Sequence, residues 1–125
     1  MAERIRVAVI EDNEVFREAL ELLLGLDPDV DVVGSAPDGE DAVGLCRRTK
    51  PDVLVVDYRL PGADGVQVTS AVSRAHPGTV IVCLTAGVNA REEAALREAG
   101  AVECVTKDES LEEIVATIKR AARGR

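Results

Sequence analysis

No apolar run in the sequence approaches the roughly 18 residues needed to span a bilayer, and no signal-like apolar stretch accompanies Glu3, Arg4 and Arg6 near its start. Neither membrane insertion nor export is expected, and the chain is read as cytoplasmic. Positive charge is in short supply: 15 Lys and Arg against 23 Asp and Glu leave a net charge of −8. Nucleic acid as a direct partner is therefore not expected, because phosphate backbones are bound by basic faces. An acidic protein is better suited to cations. Cys46, Cys83 and Cys104 are far apart and odd in number, and His76 is the sole histidine, which excludes a self-contained disulfide framework or a Cys/His zinc site. At least two of the cysteines read as small buried hydrophobes, and His76, before Pro77 at a helix end, as a surface residue without function. There is no G-x-x-x-x-G-K-S/T loop and no G-x-G-x-x-G after the first strand, where Glu11-Asp12-Asn13-Glu14 stands instead, so nucleotide binding is not expected.

What is present is a chain of 125 residues, 46% hydrophobic and 30% charged, of a size that suits one domain over 1–125 with one real core. Strand-like runs and helix-like spacings alternate about every 25 residues, the mark of repeated β-α units. Strands are expected over Ile5 to Ile10, Asp31 to Ala36, Val53 to Val56, Val80 to Leu84 and Val102 to Thr106. Asn13 can cap a first helix that carries Phe16, Leu20, Leu23 and Leu24 and ends at Gly25. Asp38 can open a second, with Val43 and Cys46 on one face and Pro51 as its stop. Asp64 can cap a third whose apolar stripe is Val68, Ala71, Val72 and Ala75. A fourth, about Asn89 to Ala99, is rich in Ala, Glu and Arg and should pack weakly. In the last, Ser110 and Glu113 match a capping box and Leu111, Ile114, Val115 and Ile118 form the buried stripe. The basic run 119–125 reads as the start of a linker or a frayed end.

The third and fourth strands are apolar throughout, as strands covered on both faces must be, whereas the second carries Gly34 and Ser35 and the fifth carries Glu103. Polar strands belong at edges. The pattern predicts an α/β, flavodoxin-like (βα)5 doubly wound parallel sheet with strand order 2-1-3-4-5. In such a sheet the functional crevice lies at the carboxyl ends of the strands. The first strand delivers Glu11 and Asp12 there, the third Asp57, the fourth Thr85 and the fifth Lys107.

Three crowded carboxylates raise one another's pKa unless a cation sits among them. Mg²⁺ takes oxygen ligands, commonly one or two carboxylates with waters and phosphate, which suits Asp12 and Asp57 as direct ligands and Glu11 holding a water. Lys107 and Thr85 could neutralise phosphoryl oxygens, and Asp57 could be a nucleophile forming an aspartyl-phosphate. Each residue also has an ordinary structural use. Asp12 or Asn13 could be helix caps, Thr85 an ordinary β-former and Lys107 a solvated charge. Their joint placement at four strand ends is what points to a site. An aspartyl-nucleophile phosphohydrolase would want a second acid two residues after Asp57, and Arg59 stands there.

In this arrangement "VIEDN" at 9–13, "VVDYRLPGADG" at 55–65, "LTA" at 84–86 and "TKD" at 106–108, the sequence resembles, over essentially its whole length, the receiver domains of bacterial two-component response regulators. "PDVDVVGSAPDGEDAV" and Lys107-Asp108 resemble the NarL/LuxR-type branch, whose members carry a C-terminal helix-turn-helix domain. The resemblance implies that Asp57 accepts a phosphoryl group from a sensor histidine kinase. Mg²⁺ would be held by Asp12, Asp57, Glu11 through water and the backbone carbonyl of Arg59. Thr85 would be the switch hydroxyl and Lys107 the phosphate partner. It also implies a possible homodimer, control of transcription, and DNA binding only if a helix-turn-helix domain exists in a longer chain. No enzyme activity is expected beyond self-phosphorylation and a slow autodephosphorylation, since Arg59 and Gly87 offer no water-orienting carboxylate or amide. Cys104 stands where the family usually has a switching aromatic, so the fourth helix and fifth strand are expected to communicate by another route. The alternatives are a receiver-like interaction module independent of phosphate and an Mg²⁺-dependent phosphohydrolase.

Overall fold

Along Val53 to Val56 the side chains alternate between two apolar clusters, Val53 and Val55 joining one and Leu54 and Val56 the other. A strand covered on both faces behaves in this way. The computed structural model describes residues 3–124. Its elements are β1 (Ile5–Ile10), α1 (Glu14–Leu26), β2 (Val30–Ala36), α2 (Ala42–Thr49), β3 (Val53–Asp57), α3 (Gly65–Ala75), β4 (Val80–Thr85), α4 (Ala90–Ala99), β5 (Ala101–Thr106) and α5 (Leu111–Arg123). The strands pair in parallel in the order β2-β1-β3-β4-β5. This is the expected flavodoxin-like sheet, with the polar strands β2 and β5 at its edges.

On one face Val7, Val9, Val55, Val82 and Leu84 meet Leu20 and Leu24 of α1 and Ile114 and Ile118 of α5. On the other, Ile10, Leu54, Val56, Ile81 and Cys83 meet Cys46 of α2, Val68 and Val72 of α3 and Leu96 of α4. Every residue of β3 and β4 is buried. Each such Val, Leu or Ile contributes about 1.5–3 kcal/mol on leaving water, so the central strands are the best-anchored part of the chain. Cys46 and Cys83 are buried and Cys104 is half-buried, all three as free thiols. Among the described residues no helix is long and apolar enough to cross a membrane.

Three helices differ in detail from the sequence reading. Helix α1 continues through Gly25 to Leu26, and Asp27 ends it. Helix α2 starts at Ala42, after Asp41 and not after Asp38. Asp38 instead accepts the Glu40 N–H at 3.0 Å in a local turn, and the residues that α2 buries are Ala42, Leu45 and Cys46, with Val43 only half-buried. Helix α3 buries Gly65, Val68, Thr69 and Val72 and leaves Ala71 and Ala75 exposed. The basic run at 119–125 is helical through Arg123, and the Lys119 ammonium reaches Asp27 at 2.9 Å and Asp29 at 3.0 Å. Arg125 lies outside the described residues. Helix α4 has the expected thin attachment, burying only Leu96.

Candidate phosphoryl-acceptor site

β1 and β3 are neighbours, so the residues that follow one and end the other are brought side by side. Their carboxyl ends carry Glu11 and Asp57, both buried, at 0% and 5% exposure, with Asp12 exposed beside them. One carboxylate oxygen from each of Glu11, Asp12 and Asp57 lies within 4.8 Å of the others. Lys107, in the loop after β5, reaches across with its ammonium 2.7 Å from Glu11 Oε1 and 3.2 Å from Asp57 Oδ2. The main chain of that loop is fixed by the Lys107 N–H donating to the Thr85 carbonyl at 2.8 Å.

The electrostatics follow from this crowding. Burial, and then the adjacent Glu11 carboxylate, push the Asp57 carboxyl up to about 6, with Lys107 pulling the other way. Burial also works against the Lys107 charge, but its bonds to Glu11 and Asp57 outweigh it and hold the ammonium above the usual lysine range. The site is thus short of positive charge, and its donors are all oxygens. A hard divalent cation fits such a set, and Glu11, Asp12 and Asp57 are the residues that could hold it.

Asn13, expected as the cap of α1, and Phe16 and Arg17, to which the sequence assigns no part in the site, support these groups. Glu11 Oε2 accepts the Asn13 N–H at 3.0 Å, and the Glu11 carbonyl accepts from Arg17 Nη1 at 2.7 Å. The Lys107 ammonium lies 4.9 Å from the centre of the Phe16 ring, within cation–π range. Asn13, not Asp12, caps α1, accepting the Phe16 N–H, which leaves the Asp12 carboxylate to the site. Spacing alone gives only a weak hint of these contacts: Phe16 and Arg17 sit one turn into the helix that starts beneath Lys107.

Thr85 is buried at the end of β4, and its Oγ1 accepts the Gly87 N–H at 2.7 Å. Its hydroxyl proton is therefore free to be donated elsewhere. The Arg59 N–H points at Asp57 Oδ1 over 3.4 Å, so the Arg59 backbone faces the site while its guanidinium lies 5.5 Å from the Tyr58 ring centre. Beyond Asp57, Asp12, Tyr58, Arg59, Leu60, Pro61 and Asp64 line an open cleft of about 400 Å³. Gly62 turns the chain with φ +80, in the left-handed region that glycine tolerates. Gly65 lets α3 begin against the strand end: a Cβ there would lie 2.8 Å from Tyr58 Cα and 3.2 Å from the Asp57 carbonyl oxygen.

Comparison with known proteins agrees with this geometry. The family model for the response regulator receiver domain matches residues 7–119. The chain is 37% identical over 127 residues to the probable transcriptional regulatory protein NarL of Mycobacterium tuberculosis (strain H37Rv), covering 98% of this chain and 57% of that protein. It is also 37% identical over 129 residues to a protein-glutamate methylesterase/protein-glutamine glutaminase of Caulobacter vibrioides, covering 96% of this chain and 37% of that one. The chain thus spans about half the length, or less, of these curated relatives. The solved receiver domain of Mycobacterium tuberculosis NarL superposes with a TM-score of 0.93 at 36% identity, over 99% of this chain and 100% of that one. With the sheet order, the acidic triad and Lys107 in place, the chain belongs to the response regulator receiver domain family, on its NarL/LuxR-type branch.

Proposed function

We propose that Asp57 is the phosphoryl acceptor of a signalling switch that is charged by a sensor histidine kinase. The observation that carries this is one carboxylate fixed by a fully buried strand, with two further carboxylates within 4.8 Å and an ammonium at 3.2 Å. The Asp57 carboxylate oxygen attacks phosphorus and forms an acyl-phosphate bond. The P–N bond to the donor imidazole breaks, its electron pair stays on nitrogen, and the imidazole takes up a proton. Asp12, Asp57, the Arg59 carbonyl and, through water, Glu11 would hold Mg²⁺, which would neutralise charge on the phosphoryl oxygens. Lys107 is already beside Asp57 and pairs with a second oxygen. Thr85, whose proton is unused by Gly87, donates to a third and so moves the loop in front of α4. Added charge thereby biases a two-state segment. Arg59 and Gly87 offer incoming water no carboxylate or amide side chain, which supports slow loss of the phosphoryl group.

Control of transcription, DNA binding through a helix-turn-helix domain of a longer chain, homodimerisation and a cytoplasmic setting belong to the same proposal. Likeness to transcriptional regulators over the receiver portion supports them. Arg59, where a hydrolase would need an acid, disfavours the phosphohydrolase. The intact set Asp57, Thr85 and Lys107 disfavours a module that ignores phosphate.

Tyr58 is the sole tyrosine, there is no tryptophan, and Tyr58 adjoins Asp57, so tyrosine emission reports on the site. Emission should change saturably with Mg²⁺ and change again with beryllofluoride only when Mg²⁺ is present. Asp12→Asn should weaken the Mg²⁺ response by at least about tenfold, since even second-layer changes cost metal sites that much. A beryllofluoride response without Mg²⁺, or no Mg²⁺ response, contradicts the reading. Sustained turnover of unrelated phosphoesters would favour the hydrolase.

A further inference from the structure

Tyr58 directly follows Asp57, and its side chain leaves the site for another element. Its hydroxyl donates to Glu92 Oε2 at 3.0 Å, in the first turn of α4. At its other end Tyr58 is rigidly held. Its N–H donates to the Leu84 carbonyl at 2.8 Å and its carbonyl accepts the Gly65 N–H at 2.7 Å, while Arg59 covers its ring at 5.5 Å.

Glu92 is equally constrained. Its Oε1 accepts the Asn89 N–H at 3.0 Å, and its own N–H donates to Asn89 Oδ1 at 2.8 Å. This reciprocal capping box defines where α4 begins. The two carboxylate oxygens of one residue therefore join the helix start to the residue next to Asp57. Helix α4 buries only Leu96; its other ties are to its neighbours α3 and β5, among them Arg97 Nη1 donating to the Val102 carbonyl at 3.0 Å. The second tie from the strand ends to this segment is the Gly87 N–H on Thr85 Oγ1. Cys104, half-buried on β5, offers no ring to take part.

We propose that the Tyr58–Glu92 hydrogen bond is a latch that holds α4 in its resting position and opposes the rearrangement driven by phosphorylation. The proposal rests on Asp57 being the phosphoryl acceptor. A bond made in one of two conformations biases the equilibrium toward that conformation. A ligand selective for the other must overcome this bias, so removing the bond tightens that ligand by the same factor. Rearrangement begins when Thr85 turns its hydroxyl to the phosphoryl group and draws the Gly87 loop with it. Tyr58, pinned to β4 and to α3, cannot follow, and the latch opens.

The test compares wild type with Tyr58→Phe, which keeps the ring and loses the hydroxyl, and with Glu92→Gln, which keeps an acceptor for the Asn89 cap. Amide hydrogen exchange is measured without any phosphate analogue, and beryllofluoride affinity is measured with Mg²⁺ by amide chemical shifts. Loss of the bond in Tyr58→Phe predicts exchange about threefold to tenfold faster in α4, with α1 and α5 unchanged, and beryllofluoride binding tighter by a similar factor. Glu92→Gln, whose neutral amide can still pair with the Tyr58 hydroxyl, gives a smaller change of the same sign. Unaltered α4 exchange overturns the proposal. Faster exchange with equal or weaker beryllofluoride affinity overturns its regulatory part, because the bond then survives in both conformations. If no form of the protein binds beryllofluoride, the assignment of Asp57 fails and the regulatory proposal falls with it. Exchange then decides separately whether the bond holds α4.

Discussion

Asp57 is destabilised as an anion by the surroundings that make it useful. Its carboxyl is pushed up to about 6 by burial and by Glu11, against about 3.9 in an unfolded chain. An acid with a raised folded pKa gives stability that is fully present below pH about 4 and lost as pH rises through about 6, because only the folded state holds the proton in that window. Asp57→Asn should therefore leave the metal-free protein nearly unchanged at pH 4 and stabilise it by about 1–2 kcal/mol at pH 7.5. The figure is discounted from about 1.4 kcal/mol per pKa unit, because the substitution also removes a partner of Lys107. Chemical denaturation at the two pH values checks it, and a destabilised variant at pH 7.5 would contradict it. Asp57, Asp12, Glu11 and Lys107, whose side chains the structure brings together, were legible because each stands at a strand end, as does Thr85, which the structure joins to Lys107 through the main chain. Tyr58 and Glu92 were not, being 34 residues apart and joined only by the way α4 leans over the loop after β3.

The segment from β3 to α3 shows how elements set the site. Four buried residues fix the strand, Gly62 reverses the chain, and Gly65 opens the close approach that lets Asp64 cap α3 through Gln67. A Cβ at 65 would meet backbone 2.8 Å away at Tyr58, and backbone cannot yield as a side-chain tip can. Gly65→Ala should cost about 1–3 kcal/mol, the range for forced overpacking. Urea unfolding measures it, and an unchanged midpoint would contradict the assigned contact. Of the expected α3 stripe, Val68 and Val72 are buried, while Gly65 and Thr69 take the buried places that Ala71 and Ala75, apolar only by type, leave exposed. The misplaced start of α2 has a different origin. An aspartate that accepts an N–H two residues on can be forming a turn or a helix cap, so Asp38, which bonds Glu40 in this way ahead of the helix, could not be assigned from spacing.

At the scale of the whole molecule, the order β2-β1-β3-β4-β5 decides where chemistry collects. Consecutive strands run outward in both directions from the β1–β3 junction, so the chain leaves a crevice at their carboxyl ends, and Glu11, Asp12 and Asp57 stand on it. This much followed from the polarity of the edge strands, because an uncovered strand can carry Gly34, Ser35 or Glu103 and a central one cannot. Two apolar layers, α1 with α5 on one face and α2, α3 and α4 on the other, hold the crevice open at one rim of a rigid sheet. Within the second layer α4 buries a single residue, Leu96, and it is there that a signal from Asp57 would be expressed. The account depends first on Asp57 as the acceptor. The most direct measurement is the intact mass, followed over time, of wild type and Asp57→Asn after exposure to a small phosphodonor with Mg²⁺, with peptide mapping of the adduct. The account predicts one phosphoryl group on wild type, mapped to Asp57, dependent on Mg²⁺, persisting well beyond seconds and absent from Asp57→Asn. No adduct on wild type, or an equal adduct on the variant, would contradict it.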